Sequence, residues 1–496
     1  MTPSTQTPRI TRRGFVLGAA GTATLAAASL FGCAPREAPD PTVDETVSCD
    51  VLVIGGGAAG TTAAAEAALA GAKTVLIEKT PWLSGSSSLA IGTLYGAGTQ
   101  LQQAAGIEDT PEGLLAYFME RGGDKLDPAM QQFCAEHFGE TIDWLSGELN
   151  VPFKEKISKK GTDTVARAHN IDDRDEVALA AVEQYAKDAG VDFVFDTQAV
   201  ELIVNDEGEV EGVLAVQGAD KRIRYDAGRT ILATGGFCRN EDLIAEYCPD
   251  YDGVYTEVGQ GCTGEGLEMG LGIGAAYIGH GGTNGILACP VEAGQSKLID
   301  SKAMWVDSSG NRFVNEDGQT HDIYYTVAHF PDQSFYAVYD QPMVDTLSDK
   351  LANAFQLGLD QGVFTQGDTV AEAAEALGID GAALQAQLDA YNAMAAAGED
   401  TQFGKKADNL VAIETGPFYV LTMGVCTHGS FGGYHVNTDF QVLDETDTPI
   451  PNLYAAGEVC CGEFIYDDYP AGGCGLNYAY TSGRYAGKNA AAAVQA

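Results

Sequence analysis

Six consecutive small residues, Gly55-Gly56-Gly57-Ala58-Ala59-Gly60, separate an apolar run (Ser48 to Ile54) from an Ala-rich run (Thr61 to Gly71). Glycines at this spacing serve one chemistry well, the binding of a pyrophosphate by backbone. Gly55 permits a tight turn, Gly57 lets N–H groups approach the phosphates, and Gly60 lets helix and strand pack closely. A helix N-terminus adds partial positive charge for the anion. A second apolar run, Lys73 to Ile77, ends on Glu78 and Lys79, about twenty residues past the glycines. An acid at that distance accepts hydrogen bonds from a ribose hydroxyl. Strand, glycine turn, helix, strand and acid in this order predict a dinucleotide cradle, with Ala59 and Lys79 among its lining residues.

The elements that complete such a cradle stand far away in the chain. Arg229 to Ala233 reads as a strand ending in Thr234-Gly235-Gly236, and Asn452 to Ala456 as another ending in Gly457-Glu458. Cys238, Cys248, Cys262 and Cys289 fall in one stretch. They are candidate iron–sulfur ligands if the fold gathers them; otherwise they are small buried hydrophobes. No Cys-x-x-Cys pair occurs among the eleven cysteines, which excludes a zinc ribbon and a c-type haem.

The 496 residues allow two to four domains, and 45% hydrophobic with 20% charged residues is globular composition. A formal charge of −42 repels phosphate backbones, so a nucleic-acid partner is excluded. Arg12-Arg13 precedes an Ala-rich apolar run too short to span a membrane. It resembles a twin-arginine export signal, the other reading being a basic start to a buried helix. Leu30-Phe31-Gly32-Cys33 resembles a lipobox, although Phe31 is bulky for one; it implies a lipid anchor on Cys33. The expected location is the cell surface or periplasm.

Further motifs run along the chain: Gly85-Ser86-Ser87-Ser88, Thr263-Gly264-Glu265-Gly266, Arg312-Phe313-Val314-Asn315-Glu316, and Tyr391-Asn392 with Phe403-Gly404-Lys405. With the three strand ends above, they resemble the fumarate reductase/succinate dehydrogenase flavoprotein superfamily. The resemblance implies an α/β fold, a Rossmann-like, glutathione-reductase-type FAD-binding domain with an inserted α+β capping domain. By it, residues 49–280 and 428–496 bind FAD and 281–427 form the cap, after a signal (1–33) and a linker (34–48). Gly85, Ser86 and Ser87 join the cofactor site. Glu458 binds the ribityl or ribose chain, and the helix starting near Gly475-Leu476 points its N-terminus at the flavin.

The same resemblance points to the reacting residues. His321-Asp322 falls, with one residue inserted, where fumarate reductases carry the arginine that donates a proton, so the acid is His321 or else Tyr324 or Tyr325. Pro470 stands where that family clamps a carboxylate with arginine, which argues against fumarate. His428 matches a family histidine, or is a core histidine. Gly281 to Asn284 matches the family's substrate-binding segment poorly.

Tyr469-Pro470-x-x-Gly473 instead resembles ketosteroid dehydrogenases and, among exported gut-bacterial members, cardiac glycoside reductase. There the tyrosine hydroxyl and the last glycine's N–H bind a ketone oxygen. Two neutral donors aimed at that oxygen stabilise the enolate formed as hydride reaches the β carbon. The resemblance therefore implies an exported FAD-dependent ene-reductase of an enone or unsaturated lactone, fed by a membrane-linked donor such as a cytochrome. The alternatives are the same site run oxidatively on a ketosteroid, an unsaturated acid such as urocanate or a cinnamate as substrate, and a flavin-loaded carrier or binding lipoprotein without turnover.

Overall fold

The computed structural model describes residues 43–160, 162–279, 281–291, 298–465 and 469–495. Arg12, Arg13 and Cys33, on which the export and anchor readings rest, lie outside the described residues.

Val51, Leu52, Val53 and Ile54 are all buried, as a strand must be when helices cover both faces of its sheet. Glu45–Ile54 pairs in parallel with Thr74–Ile77 on one side and Lys221–Leu232 on the other. The path reads Gln441–Leu443, Pro449–Ala455, Lys221–Leu232, Glu45–Ile54, Thr74–Ile77, Asp192–Val194. An antiparallel pair, Thr197–Val204 and Val210–Gln217, joins it at Lys221–Leu232. Three parallel strands thus end side by side at Ile54, Leu232 and Ala455. That is where the three glycine turns begin, and ligands of open parallel sheets bind outside such carboxyl ends.

Two helices cross one another behind these turns. The helix Ala58–Leu69 buries every residue from Ala58 to Ala67. The C-terminal helix Cys474–Gln495 lies against it backbone to backbone. A Cβ on Gly483 would stand 2.3 Å from Ala59 O, and one on Gly487 would stand 2.3 Å from Ala63 O. Alanine on one helix and glycine on the other are therefore a packing requirement.

Between Thr283 and Ser430 the chain builds a second, antiparallel sheet: Thr283–Ala288, Phe418–Ser430, Ser334–Asp340 and Met304–Val306 in that order, with Phe364–Gly367 also on Phe418–Ser430. Thr369 and Asp380 cap helices here, accepting from the Glu372 and Ala383 amides, as their residue types predict. The Arg-Phe-Val-Asn-Glu and Phe-Gly-Lys motifs meet in one buried ion cluster. Arg312 Nη2 lies 2.7 Å from Glu316 and 2.9 Å from Asp400, and Lys405 Nζ lies 3.6 Å from Glu316. Removing one partner of such a cluster strands a buried charge, at about 3–5 kcal/mol. These motifs hold the second sheet's loops together and so position the helix Thr320–Ala328.

Candidate active site

One cavity of about 1350 Å³ takes in all three glycine turns and also His321, His428, Tyr469 and Gly473. That exceeds the roughly 300–1,000 Å³ of ordinary single-ligand pockets, so there is room for a dinucleotide and a second molecule.

The turn at Gly55–Gly60 has the geometry its spacing predicts. Gly55 has φ +109°, and a Cβ on Gly60 would stand 1.9 Å from Gly55 O. A Cβ on Gly57 would meet nothing nearer than Ser87 Oγ at 3.5 Å, leaving the cavity side of that residue open. Ser87 Oγ accepts from the Ala58 amide at 3.0 Å, the first N–H of the helix. Glu78 is buried, and one carboxylate oxygen accepts from Gly56 N at 2.7 Å. The other accepts from Thr80 N and Oγ1 at 2.8 Å each. The acid therefore ties the second strand to the glycine turn while lining the cavity. Lys79 Nζ is committed to Thr263 Oγ1 (2.6 Å) and Glu265 (3.0 Å), which brings the Thr-Gly-Glu-Gly motif to the same wall. Ser86 Oγ accepts from Gly259 N at 3.1 Å.

Thr234-Gly235-Gly236 and Gly457-Glu458 come together at the strand ends. A Cβ on Gly236 would sit 2.1 Å from Glu458 Oε1. That oxygen accepts from Ser430 N at 2.8 Å, and burial pushes the carboxyl pKa up. Thr234 Oγ1 is buried and has no hydrogen-bond partner. An open glycine face, a helix N-terminus and an orphaned buried hydroxyl fit a bound dinucleotide.

Tyr469 closes the far wall. Its ring stacks on Phe431 (5.9 Å, 4°) and stands edge-on to His321 (5.2 Å). Its hydroxyl oxygen accepts from Gly475 N at 2.8 Å, in the first turn of the C-terminal helix. Burial pushes the phenol pKa up, and the Gly475 and Gly473 amides oppose that rise. Gly473 has φ +107°, and the Pro470 carbonyl is held by Tyr117 OH at 2.8 Å. Gly475 and Leu476 both line the cavity.

His321 Nδ1 lies 3.1 Å from Gly285 O. A carbonyl only accepts, so Nδ1 carries the proton and Nε2 is the free ring position. Burial lowers the His321 pKa below its usual value. His428 Nε2 stands 3.6 Å from Glu257 Oε2, and burial lowers this histidine too, against the opposing pull of Glu257.

Two tyrosines do not join this group. Tyr324, one helical turn past His321, is fully buried outside the cavity, and its hydroxyl is shared between Thr283 Oγ1 (2.7 Å) and Thr427 Oγ1 (3.1 Å). Its pKa is pushed up to about 12 by burial, so as a proton source it is badly placed. Tyr325 packs its edge against Tyr251 and Tyr324 and is likewise absent from the cavity wall. Of the three candidate proton donors, His321 lines the cavity and these two do not.

The four cysteines also find other partners. The Cys248 thiol donates to Gly282 O at 3.3 Å, and Cys262 Sγ contacts Ser86 Oγ at 3.2 Å. Burial pushes these thiols up to about 12 and about 11. Cys238 faces the Glu458 carboxyl, whereas Cys289 lies by Tyr339 in the second sheet. All four are buried, and although Cys262 and Cys248 both lie near Cys238, no three of the four sulfurs come within ligand distance of one another.

Five charged wall residues carry no sequence motif: Lys160, Arg174, Arg239, Glu257 and Asp300. Arg239 is spent on the Val258 and Gly259 carbonyls. Lys160 lies alongside Gly472, whose added Cβ would meet the Lys160 side chain at 3.8 Å. Glu257 arrives because its amide donates to Thr427 O at 2.9 Å, a pairing across 170 residues that no local pattern announces.

Residues 50–476 match the family described as FAD binding domain. The chain is 31% identical to urocanate reductase of Eggerthella lenta, over 92% of this chain and 77% of that protein. It is 26% identical to digoxin reductase of the same species, over 97% of each. With NADH:fumarate oxidoreductase of Klebsiella pneumoniae it shares 30% identity over 84% of its own length, but it spans only 45% of that longer protein. Two solved structures superpose well. A flavocytochrome c3 fumarate reductase in its open conformation gives a TM-score of 0.77 at 27% identity, covering 92% of this chain and 79% of that one. The 3-ketosteroid-Δ4-(5α)-dehydrogenase of Rhodococcus jostii gives 0.75 at 26% identity, covering 91% and 98%. On the fold, the cradle and these matches together, the chain belongs to the FAD-binding flavoprotein family, a family of oxidoreductases, and its cofactor is FAD.

Proposed function

We propose that this flavoprotein reduces a C=C bond conjugated to a neutral carbonyl, an enone or unsaturated lactone of steroid-like size. The observation that carries the reading is the turn at Tyr469–Gly473, whose two ends both line the cavity and which has Pro470 where a carboxylate clamp would need a cation. FAD held in the cradle supplies the hydride chemistry.

The chain's own residues do the rest. Tyr469 accepts from the Gly475 amide, so its O–H proton is free to point at a substrate carbonyl. An N–H on the phenol oxygen polarises the O–H and makes it a stronger donor. Tyr469 and the Gly473 amide then hold the negative charge that grows on that oxygen, each donor contributing about 10²–10³ in rate. His321, neutral at pH 7 with its proton fixed on Nδ1, must take up a second proton before Nε2 can deliver one to the α carbon. His428, beside Glu257, orients the substrate from the opposite wall.

As electron donor we favour a membrane-linked partner of the cytochrome class; no Cys-x-x-Cys-His motif stands in the sequence. The Arg12-Arg13 signal supports export, and with it this route; cell fractionation finding the protein only in the cytoplasm would overturn that part.

A second reading, an unsaturated acid as substrate, is favoured by Lys160, a cation in the cavity wall beside Gly472. Anaerobic oxidation of reduced viologen by FAD-loaded protein separates the two. Turnover with steroid enones and unsaturated lactones, unaffected by Lys160→Ala, supports the first reading. Turnover only with urocanate, cinnamates or fumarate, lost in Lys160→Ala, replaces it with the second.

A further inference from the structure

We infer that Glu257, Cys426 and His428 form a binding site for a divalent transition metal of the zinc class, and that an ion bound there blocks the substrate cavity. One ligand atom from each residue lies within 4.8 Å of the other two, and no other His, Cys, Asp or Glu group among the described residues is so arranged. Cys426 and His428 are two apart on the strand Phe418–Ser430 and so present side chains to the same face. The Glu257 amide, bonded to Thr427 O at 2.9 Å, brings the carboxylate to that face.

The spacing is that of ligands around an ion. His428 Nε2 is buried without a hydrogen-bond partner, and Glu257 Oε2 stands 3.6 Å from it, too far for a hydrogen bond. Two N or O ligands each about 2.0–2.1 Å from a tetrahedral zinc are about 3.4 Å apart. A thiolate with an imidazole and a carboxylate is a donor set for zinc rather than for magnesium or calcium. Coordination forms an S–metal bond and releases the thiol proton to solvent, with no change of oxidation state. Three protein ligands leave a fourth position open. Glu257 and His428 both line the cavity, so an ion on them occupies the wall that the substrate would face.

Binding does not depend on the proposed reaction; the block does, and rests on His428 facing the substrate. Equilibrium dialysis of zinc against FAD-loaded protein is compared with Cys426→Ser and, should serine disturb the strand, with Glu257→Gln. The expected result is one zinc per chain that is lost or weakened at least tenfold in either variant. Cobalt should likewise give a thiolate charge-transfer absorption that disappears in Cys426→Ser. Zinc should inhibit turnover competitively with substrate, with the midpoint raised at least tenfold in Cys426→Ser. Equal zinc binding in the wild type and both variants would overturn the site. Binding that leaves substrate turnover uninhibited would overturn the block alone.

Discussion

Replacing Tyr469 with phenylalanine removes one oxygen and little else. The variant keeps the stack on Phe431 and the edge contact with His321, because both are made by the ring. What disappears is one of the two donors to the substrate carbonyl and the acceptor of the Gly475 amide, 2.8 Å away. Gly473 remains as the second donor, so the expected loss is that of one oxyanion donor. This is about 10²–10³ in kcat, or about 2.7–4 kcal/mol of transition-state stabilisation. KM should move little, since the bond strengthens as charge grows on the oxygen and is weak in the ground state. The orphaned Gly475 N–H adds a stability cost of about 1 kcal/mol, at the low end for a buried donor because it faces the cavity. The assay is steady-state reduction of an enone by FAD-loaded protein with reduced viologen as donor, alongside the flavin-to-protein absorbance ratio and a denaturant midpoint. A kcat within about threefold of wild type at full flavin content would refute the donor role. So would a loss confined to KM.

Other substitutions and pH titrations test separate parts of the account. Gly60→Ala should abolish flavin loading, read as the flavin-to-protein absorbance ratio, because its Cβ would stand 1.9 Å from the Gly55 carbonyl. Thr234→Val should leave the flavin-free protein as stable or more stable, since the hydroxyl it removes is buried and unpartnered, while FAD affinity measured by equilibrium titration falls several-fold. If His321 delivers the proton, kcat should fall with rising pH from below pH 6.5, tenfold per unit. Burial lowers its pKa, and of the groups around it Asp322 and the Gly285 carbonyl oppose that shift while Arg121 and His428 reinforce it. A kcat flat from pH 6 to 8 would assign the proton elsewhere. His435 sits between Glu463 and Asp447, chiefly the hydrogen bond to Glu463 raising its pKa to about 8. A raised folded-state pKa stabilises fully below the unfolded value near 6.5 and fades as pH passes about 8. The full linkage of about 2 kcal/mol is roughly halved by solvent screening of the part-exposed ring, so the unfolding free energy should drop by about 1 kcal/mol across that window and not in His435→Gln.

What could be seen in advance was local. The glycine turn at Gly55–Gly60 is specified by adjacent residues, each with a steric reason to be small, and its geometry follows directly. Tyr469 and Gly473 lie within one short turn, so their shared wall was also visible. The depth of a residue along a helix was not. His321, Tyr324 and Tyr325 share one helical face, yet one turn of rise carries the two tyrosines out of the cavity and into the packing against Thr283, Thr427 and Tyr251. Ion pairs across the chain escaped for a different reason. Lys79 reads as a lining residue of the cradle, but its partner Glu265 comes from 186 residues away in the chain. Glu257 has no motif and gains its place from a parallel bridge of two backbone hydrogen bonds, Glu257 N to Thr427 O and Thr427 N to Tyr255 O, to the strand carrying His428. The four clustered cysteines show the converse, since closeness in sequence leaves Cys248 and Cys262 near Cys238 yet brings no three of the sulfurs within ligand distance.

The most direct test bypasses the unknown electron donor. FAD-loaded protein is reduced anaerobically and mixed with one equivalent of a neutral steroid enone or unsaturated lactone, or with one equivalent of an unsaturated carboxylate, while flavin absorbance is followed. The account predicts that oxidised-flavin absorbance returns with the neutral conjugated carbonyl and not with the carboxylate. Recovery with the carboxylate alone, or with neither, would contradict it.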